Sequence, residues 1–293
     1  MDETPAPIVG ERNVLVRVQF SCLSVGTEIA GMKMSGLPLY RRVLKQPENV
    51  VQVVAMMKEQ GVTATVKRVR GKLDSGIATG YSAAGDVIAV GDSVRGFHVG
   101  DRVACAGAGI ANHAEVIDVP VNLCVNIPPQ VQTRDAATVT LGAIAMQGVR
   151  RANPTLGETF VVLGLGILGQ LTVQLLKAAG CHVVGADIDN QRIRQALDAG
   201  MDDCSVPSPD ELLRRVLAIT DGFGADGAIV TAASTSDEVI SMAAQATRKK
   251  GRVVLVGDVG LGLQRSDWYQ KELDFFVSTS YGPGRYDPYY EAE

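Results

Sequence analysis

The sequence lacks any apolar run long enough to cross a bilayer, and it does not open on the basic and then apolar pattern of a secretory signal. It also lacks an excess of basic residues: the net charge is −4, and no stripe of Lys and Arg stands out. These absences argue against a membrane span, against secretion and against a nucleic-acid partner. We therefore expect a cytoplasmic protein.

Cysteine pairs at metal-binding spacing are missing as well. No CxxC motif occurs, and the five cysteines are widely scattered, at Cys22, Cys105, Cys124, Cys181 and Cys204. This spacing argues against a disulfide framework and against a structural zinc knuckle, and it predicts reduced thiols.

What is present divides into two halves of different character. The composition, 46% hydrophobic and 20% charged over 293 residues, is typical of a soluble protein with one large or two ordinary domains. The pattern changes near residue 130, so we expect domains over 1–130 and 131–293. In the first, short β-type segments alternate with glycine turns, which predicts an antiparallel, barrel-like domain. These segments cover residues 13–20, 84–90, 102–105 and 114–119. Residues 38–72 carry helical periodicity and predict one or two inserted helices, as a lid or an oligomer surface.

The second half alternates between strand and helix patterns. We expect strands near 160–164, 182–187, 203–206, 227–231, 252–257 and 274–279. We expect helices near 135–150, 167–179, 189–199, 209–219 and 236–248. Such alternation predicts an α/β fold, a doubly wound parallel sheet of six strands with ligands at the carboxyl ends of the strands. The basic run at 248–250 is interpreted as the charged end of the last helix.

The stretch from 161 to 187 is the most informative in the chain. An apolar run leads into Gly164-Leu165-Gly166-Ile167-Leu168-Gly169, a helical pattern follows, and a second apolar run ends on Asp187. Gly164 allows the tight turn, Gly166 leaves room for a pyrophosphate, and Gly169 lets the helix pack closely on the strand. The free N–H groups of that helix would face the phosphates. This spacing predicts a dinucleotide site, and the alternative is a doubly wound domain whose turn is unused.

The residues after the second strand favour NAD(H) over NADP(H). Asp187 can accept hydrogen bonds from a ribose 2′-OH, and its charge would repel a 2′-phosphate. Ile188 follows it, and a second acid, Asp189, comes next. Arg192, at the start of the next helix, either lines the adenosine pocket or is a solvated helix residue.

Four further candidates follow later strands, where the nicotinamide half of the cofactor should lie. They are Thr231, Ala232, Gly257 and Asp258.

A glycine-rich β domain before such a dinucleotide motif resembles the medium-chain dehydrogenase/reductase superfamily. The resemblance is carried by Gly80-Tyr-Ser-Ala-Ala-Gly85, Val99-Gly-Asp-Arg-Val103, His113-Ala-Glu115, Ile127-Pro128 and the 161–187 stretch. It implies a GroES-like β-barrel domain followed by a Rossmann domain, a small-molecule substrate and a homo-oligomer.

A closer resemblance is to the corresponding half of bi-domain oxidoreductases. It is carried by Ser24-Val-Gly-Thr-Glu28, Leu141-Gly-Ala-Ile-Ala145, Gly257-Asp-Val-Gly260 and Ser280-Tyr-Gly-Pro-Gly-Arg-Tyr-Asp287. In such proteins a Gfo/Idh/MocA-like domain follows, and that continuation would begin at Glu293. The resemblance therefore implies either a fragment of such a protein or a stand-alone truncated form.

The zinc ligands of the superfamily are not where the resemblance would place them. Its first cysteine corresponds to Val25, its histidine to Tyr81, and the glutamate after that histidine to Ser82. No Cys or His occurs in 133–150, where the third ligand would come. We therefore expect a zinc-free protein.

Without a metal, another group must polarise or protonate the carbonyl oxygen that accepts hydride. Thr27 matches the hydroxyl of the family's proton relay, Tyr81 would place a phenol in the same region, and Glu28 would orient either one or bind substrate. The alternatives are a turn hydroxyl for Thr27 and a packed aromatic ring for Tyr81. His113 is interpreted as structural.

Three hypotheses for function follow. The first is an NAD-dependent oxidoreductase acting on an alcohol or carbonyl, sugar-derived if the bi-domain resemblance is a guide. The second is a nucleotide-binding module that lost catalysis together with its metal. The third is a quinone-reductase-like NADPH enzyme, against which Asp187 argues.

Overall fold

The computed structural model describes residues 5–23, 79–206 and 208–283. The chain divides into unit 1, residues 1–138, and unit 2, residues 139–293, and each is described by itself. The predicted helices at 38–72, together with Thr27 and Glu28, lie outside the described residues. None of the described helices is long and apolar enough to span a membrane.

Unit 1 is built around an antiparallel sheet, of which five strands are described. They are β1 (Asn13–Ser21), β2 (Ser82–Val90), β3 (Arg102–Ala106), β4 (Val116–Pro120) and β5 (Cys124–Asn126). Their order across the sheet is β4-β1-β2-β3-β5, and all the described pairings are antiparallel. Val14 and Val16 alternate along β1 with more exposed neighbours and pack against Val87 and Val103 in the core. The predicted antiparallel domain is confirmed, and β5 is a strand that the sequence pattern did not predict.

The helix predicted over 135–150 is divided in two. A 3₁₀ turn (Val121–Leu123) and α1 (Thr133–Ala136) belong to unit 1, and α2 (Val139–Ala152) belongs to unit 2. At the break, the Thr138 hydroxyl donates to the carbonyl oxygen of Asp135 at 2.8 Å. The backbone N–H of Thr138 donates to the same oxygen at 3.1 Å, so this carbonyl group is satisfied although the helix does not continue.

Unit 2 contains a parallel sheet of six described strands. They are β6 (Thr159–Leu163), β7 (His182–Ala186), β8 (Asp203–Ser205), β9 (Ala225–Val230), β11 (Thr247–Leu255) and β13 (Asp274–Val277). Their order is β13-β11-β9-β6-β7-β8. The chain therefore builds outwards from β6 in one direction and from β9 in the other, and the crevice of a doubly wound sheet lies between these two strands. The predicted six-stranded parallel sheet is confirmed.

Helices and two core layers cover this sheet. The helices are α3 (Ile167–Ala178), α4 (Asn190–Asp198), α5 (Pro209–Ile219), α6 (Glu238–Ala246) and α7 (Arg265–Tyr269), and a small parallel pair joins β10 (Ala233–Ser234) to β12 (Asp258–Val259). Along β6, Val161 and Leu163 belong to one buried cluster, while Phe160 and Val162 belong to the other. Because successive side chains of a strand point to opposite faces, both faces of the sheet are buried.

Contrary to the prediction from the sequence, the basic run at 248–250 does not lie at the end of a helix. Helix α6 ends at Ala246, and Arg248 lies in β11, where its Nε donates to Asp226 Oδ1 at 2.6 Å. The cation at the helix end is Lys271, whose amine donates to the carbonyl oxygens of Ala244 and Gln245 at 3.1 and 2.6 Å. Burial lowers the pKa of Lys271. The helix therefore has the predicted basic cap, but a residue from a later segment supplies it.

Candidate functional site

The turn after β6 requires glycine at its first position. Gly164 has a φ of +93°, and a Cβ placed there would lie 2.6 Å from the backbone N and Cα of Ala232. Both the left-handed backbone and the close approach of the segment after β9 therefore exclude a side chain. This is the tight strand-to-helix turn that the sequence predicted.

The third glycine of the motif lies where helix α3 meets that turn. A Cβ on Gly169 would lie 2.0 Å from the Gly164 carbonyl oxygen and 3.1 Å from Thr231 Oγ1. The Thr231 hydroxyl itself donates to the carbonyl oxygens of Leu163 and Gly164, at 3.2 and 2.5 Å. The helix can approach the strand only because Gly169 lacks a side chain, and Thr231 holds the turn from the neighbouring strand β9.

The middle glycine differs from the other two because no contact with the described residues requires it. Gly166 is the N-cap of α3, its φ is −65°, and a Cβ placed there would meet no atom of the described residues within 4 Å. No side chain from this part of the chain caps the helix end. The N-terminal N–H groups of a twelve-residue helix thus border open space, an arrangement that favours an anion. A dinucleotide pyrophosphate fits these residues in both charge and room.

Asp187 is held beside this helix end by the backbone. It is 7% exposed, its Oδ2 accepts from the Leu165 N–H at 2.6 Å, and its Oδ1 accepts from the Asp189 N–H at 2.8 Å. Each oxygen keeps lone pairs for a further donor such as a ribose hydroxyl. The carboxylate also fixes the glycine turn to the end of β7, a role that the sequence did not suggest.

Arg192 lies between the two acids that follow β7. Its NH1 is 3.7 Å from Asp187 Oδ2, its Nε is 3.6 Å from Asp189 Oδ2, and its side chain is half exposed. Asp189 caps α4 by accepting from the Gln191 N–H at 2.8 Å. Ile188 is 87% exposed and offers an apolar surface beside the acids. The remaining residues of the glycine motif differ in burial: Leu165 is fully buried, Leu168 is half-buried and Ile167 is exposed.

The carboxyl ends of β9 and β11 are joined by close backbone contacts. A Cβ on Gly257 would lie 2.1 Å from the Ala232 carbonyl oxygen, and the same oxygen accepts from the Asp258 N–H at 3.1 Å. The side chain of Asp258 is exposed. Ala232 and Gly257 thus hold two strand ends together, and Asp258 presents a carboxylate next to them.

Two further residues lie at this edge of the sheet, and nothing in the sequence pattern pointed to the first of them, Gln170. Gln170 on α3 donates from Nε2 to the carbonyl oxygens of Leu165 and Arg192, at 3.0 and 2.8 Å, and so ties the glycine turn to α4. Ser278 follows β13, is 6% exposed, and its hydroxyl has no hydrogen-bond partner among the described residues. A buried orphan hydroxyl at the carboxyl end of a strand is a signal that only the structure gives.

In unit 1, Tyr81 is half-buried and directly precedes β2, and its carbonyl oxygen accepts from the Gly107 N–H at 3.0 Å. Ser82 is fully buried, and its hydroxyl donates to the carbonyl oxygen of Ala137 at 2.7 Å. Ser82, in the place of the family's glutamate, therefore has a structural partner.

His113 lies next to the same segment. Its backbone N–H donates to the carbonyl oxygen of Thr79 at 2.8 Å, and its imidazole Nδ1 is 2.9 Å from Ser21 Oγ. A Cβ on Gly80 would lie 3.0 Å from the imidazole ring. The structure thus brings an imidazole close to the residue that precedes Tyr81, a contact between segments that are distant in the sequence.

At two of the positions that correspond to the family's zinc ligands, the residue types are not those that zinc favours. In the described part of the chain, no group of three or more His, Cys, Asp or Glu side chains could hold a metal ion. The side chain of Val25, outside that part, has no donor atom, and Tyr81 offers a phenol where the family has an imidazole. Zinc favours thiolate and imidazole ligands, and neither is supplied at these two positions.

Two family models match the chain. One describes an alcohol dehydrogenase GroES-like domain and matches residues 48–129, and the other describes a zinc-binding dehydrogenase and matches residues 168–292. A curated relative, D-guloside 3-dehydrogenase of Shigella flexneri, is 34% identical over 52% of this chain. The chain covers 43% of the length of that relative.

Solved structures share the fold. Galactitol-1-phosphate dehydrogenase of Escherichia coli has a TM-score of 0.71 at 18% identity, over 95% of this chain and 79% of its own. A mycobacterial protein complexed with NADPH has a TM-score of 0.72 at 18% identity, over 96% of this chain and 77% of its own. With the glycine turn of unit 2 and the antiparallel sheet of unit 1, the two family models and the curated relative show that the chain belongs to the medium-chain dehydrogenase/reductase superfamily.

Proposed function

We propose that the protein is a zinc-independent, NAD(H)-dependent oxidoreductase that transfers hydride to or from an alcohol or carbonyl group. One observation carries the proposal: the open N-terminus of α3 at Gly166 lies beside the buried carboxylate of Asp187. A helix N-terminus attracts the pyrophosphate and an acid at the end of the second strand accepts the ribose hydroxyl. When bound, the nicotinamide supplies or accepts the hydride.

The preference for NAD over NADP rests on charge. Two carboxylates, Asp187 and Asp189, lie where a 2′-phosphate would come, and Arg192 is engaged with both at 3.6–3.7 Å. A phosphate would have to displace that guanidinium from its acids and would be repelled by them.

Calorimetric titration of both cofactors tests this preference. The wild type should bind NAD more tightly than NADP, and Asp187→Asn should narrow the ratio by about tenfold because a charge worth roughly 1.4 kcal/mol of discrimination is removed. Asp198→Asn, at the exposed C-terminal end of helix α4, is the matched control and should leave the ratio unchanged. If the ratio of the NADP and NAD dissociation constants is the same in the wild type and in both variants, the charge of Asp187 does not set the preference, and this argument for NAD is lost.

The proposed independence from zinc rests on the residues at two of the family's ligand positions. Val25 and Tyr81 stand there, and neither supplies a thiolate or an imidazole. The protein purified after chelation should contain less than stoichiometric zinc by elemental analysis and should keep its turnover. Loss of turnover that zinc alone restores would overturn this part of the proposal.

A hydroxyl of the chain must then serve the substrate oxygen. We assign the proton transfer to Tyr81 or Thr27, with Glu28 orienting one of them, since these residues occupy the positions of the family's metal ligand and relay. Tyr81→Phe should lower kcat by about 10²–10⁴-fold if the phenol donates the proton, and should alter the pH profile. Tyr269→Phe, an exposed tyrosine of unit 2, is the control. Unchanged kcat in Tyr81→Phe together with a loss in Thr27→Val would assign the proton to Thr27.

The substrate class is proposed to be a sugar-derived alcohol or carbonyl. The support is the 34% identity to a D-guloside 3-dehydrogenase. A panel of glycosides, alditols and simple alcohols should give NADH formation with the sugar-derived members first. Tight NADH binding with no turnover on any member would instead favour a catalytically inactive nucleotide-binding module, and turnover of quinones with NADPH would favour a quinone-reductase-like enzyme.

We also propose that the protein forms a homo-oligomer and that a further oxidoreductase domain follows residue 293 in its natural context. For the oligomer, the support is that β13 is the outermost described strand of the parallel sheet and that Val277 on it is 53% exposed. Light scattering after size exclusion should show a dimer or tetramer. The five cysteines are widely scattered and form no CxxC motif, which favours a reducing compartment such as the cytoplasm.

A further inference from the structure

Two of the five cysteines face each other across neighbouring strands of unit 1. Cys105 on β3 pairs directly with Cys124 on β5, and their Sγ atoms are 3.5 Å apart. The Arg102 carbonyl oxygen accepts from the Ile127 N–H, so these two residues form a hydrogen-bonded pair. Along two antiparallel strands, hydrogen-bonded pairs alternate with pairs that are not hydrogen-bonded. Cys105 and Cys124 therefore form a non-hydrogen-bonded pair, in which the Cα atoms approach to about 4.5 Å. A disulfide needs Cα atoms about 4.4–6.8 Å apart, so the backbone already satisfies its geometry.

The two thiols differ in access. Cys105 is fully buried in the core of unit 1, whereas Cys124 is half-buried at the start of β5. A reagent in solution therefore reaches Cys124 first. The Cys105 sulfur lies close enough to attack the Cys124 sulfur once that sulfur has been modified. The hydrogen bond with Cys105, together with burial, raises the pKa of Cys124. The attacking thiolate is scarce at neutral pH, so the first step should accelerate as pH rises.

We propose that Cys105 and Cys124 form a thiol-modification site that a small disulfide, such as oxidised glutathione, converts into an intramolecular cross-strand disulfide. The Cys124 sulfur, having lost its proton to solvent, bonds to one sulfur of the oxidant, and the oxidant's S–S bond breaks to release one reduced glutathione. The Cys105 thiolate then bonds to the Cys124 sulfur and displaces the second glutathione. The protein loses two electrons and two protons, and one oxidised glutathione becomes two reduced ones.

The bond would close the segment between the two cysteines, which are 19 positions apart. This segment carries His113 and also Gly107, whose N–H binds the Tyr81 carbonyl oxygen. Cross-linking a short loop restricts the unfolded chain, so the oxidised protein should melt at a higher temperature, and a reductant should reverse the shift.

The chain is well suited to a direct test. Lys and Arg are absent from residues 103–133, so trypsin releases 103–134 as one peptide that contains both cysteines. After the full chain is incubated with oxidised glutathione and remaining thiols are alkylated, this peptide should be lighter than its reduced form by two hydrogen atoms. Cleavage after Glu115 should then leave two fragments that stay joined until reduction. The yield at a fixed time should rise from neutral to mildly alkaline pH.

Variants identify the order of attack. Cys105→Ser should stop the reaction at a glutathione adduct on Cys124, Cys124→Ser should leave Cys105 unmodified, and Cys204→Ser, a half-buried thiol of unit 2, should change nothing. The wild-type product carries the test even where a variant folds poorly. A lasting glutathione adduct on wild-type Cys124, or modification of Cys204 while both cysteines of 103–134 stay reduced, would overturn the proposal.

Discussion

The glycines of the α3 turn allow folding to be separated from cofactor binding by two identical substitutions. In Gly169→Ala, the new methyl would lie 2.0 Å from the Gly164 carbonyl oxygen, so the backbone must move. Such overpacking costs about 1–3 kcal/mol, or a fall in Tm of roughly 2–12 °C for a chain of this size. In Gly166→Ala the methyl meets no atom within 4 Å among the residues that the structure describes. Only the preference for glycine over alanine at an N-cap is lost, at most about 1 kcal/mol, or roughly 4 °C.

Binding should reverse this order of sensitivity. If a pyrophosphate lies against Gly166, the methyl of Gly166→Ala occupies its space, and the dissociation constant for NAD should rise at least about tenfold, or 1.4 kcal/mol. Thermal unfolding without cofactor and calorimetric titration with NAD measure the two effects on the same preparations. A folded Gly166→Ala variant that binds NAD like the wild type would refute the placement of the phosphates. A Gly169→Ala variant as stable as the wild type would refute the close helix approach.

Three further substitutions test the surroundings of the site and the base of the sheet. Asp187→Asn should lower the free energy of unfolding by about 1–3 kcal/mol, since a backbone N–H loses its buried acceptor; urea unfolding with Asp198→Asn as control measures this. Ser278→Ala should not lower stability in the same assay, and a loss above about 1 kcal/mol would show a partner for the hydroxyl. Burial raises the pKa of Glu158, but hydrogen bonds from Arg252 and a backbone N–H outweigh it and lower the pKa below 4.5. The stability from this pair is thus present above pH 4.5 and is lost as pH falls through the folded pKa, so acid unfolding of Glu158→Gln should lack this component.

Much of unit 2 was predictable because its signals are short in range. The strand β6 is an apolar run that ends just before Gly164, and the close contact of Gly169 with the Gly164 carbonyl oxygen arises within a few residues. A parallel sheet buried on both faces gives continuous apolar runs, which are easy to detect. The right-handed crossovers of a doubly wound fold then restrict the orders that the strands can take.

What the sequence could not predict depends on contacts between distant segments. Lys271, rather than the basic run at 248–250, supplies the cation at the end of α6. The five cysteines looked scattered, yet the register of β3 and β5 brings Cys105 and Cys124 together. A register shifted by one residue would have turned them to opposite faces of the sheet, and no pattern within either strand fixes that register.

The acid at the end of β7 shows why a motif alone does not establish cofactor binding. Both oxygens of Asp187 accept backbone N–H groups, so folding by itself is a sufficient reason for a carboxylate at this position. Gly164 and Gly169 are likewise required by close backbone contacts in the fold. Gly166 is different, because its φ of −65° suits any residue and no described residue fills the space beside it. An N-cap with these properties would be more stable as serine or aspartate. The absence of a side chain at Gly166 is therefore the feature of the motif that points to a ligand rather than to the fold.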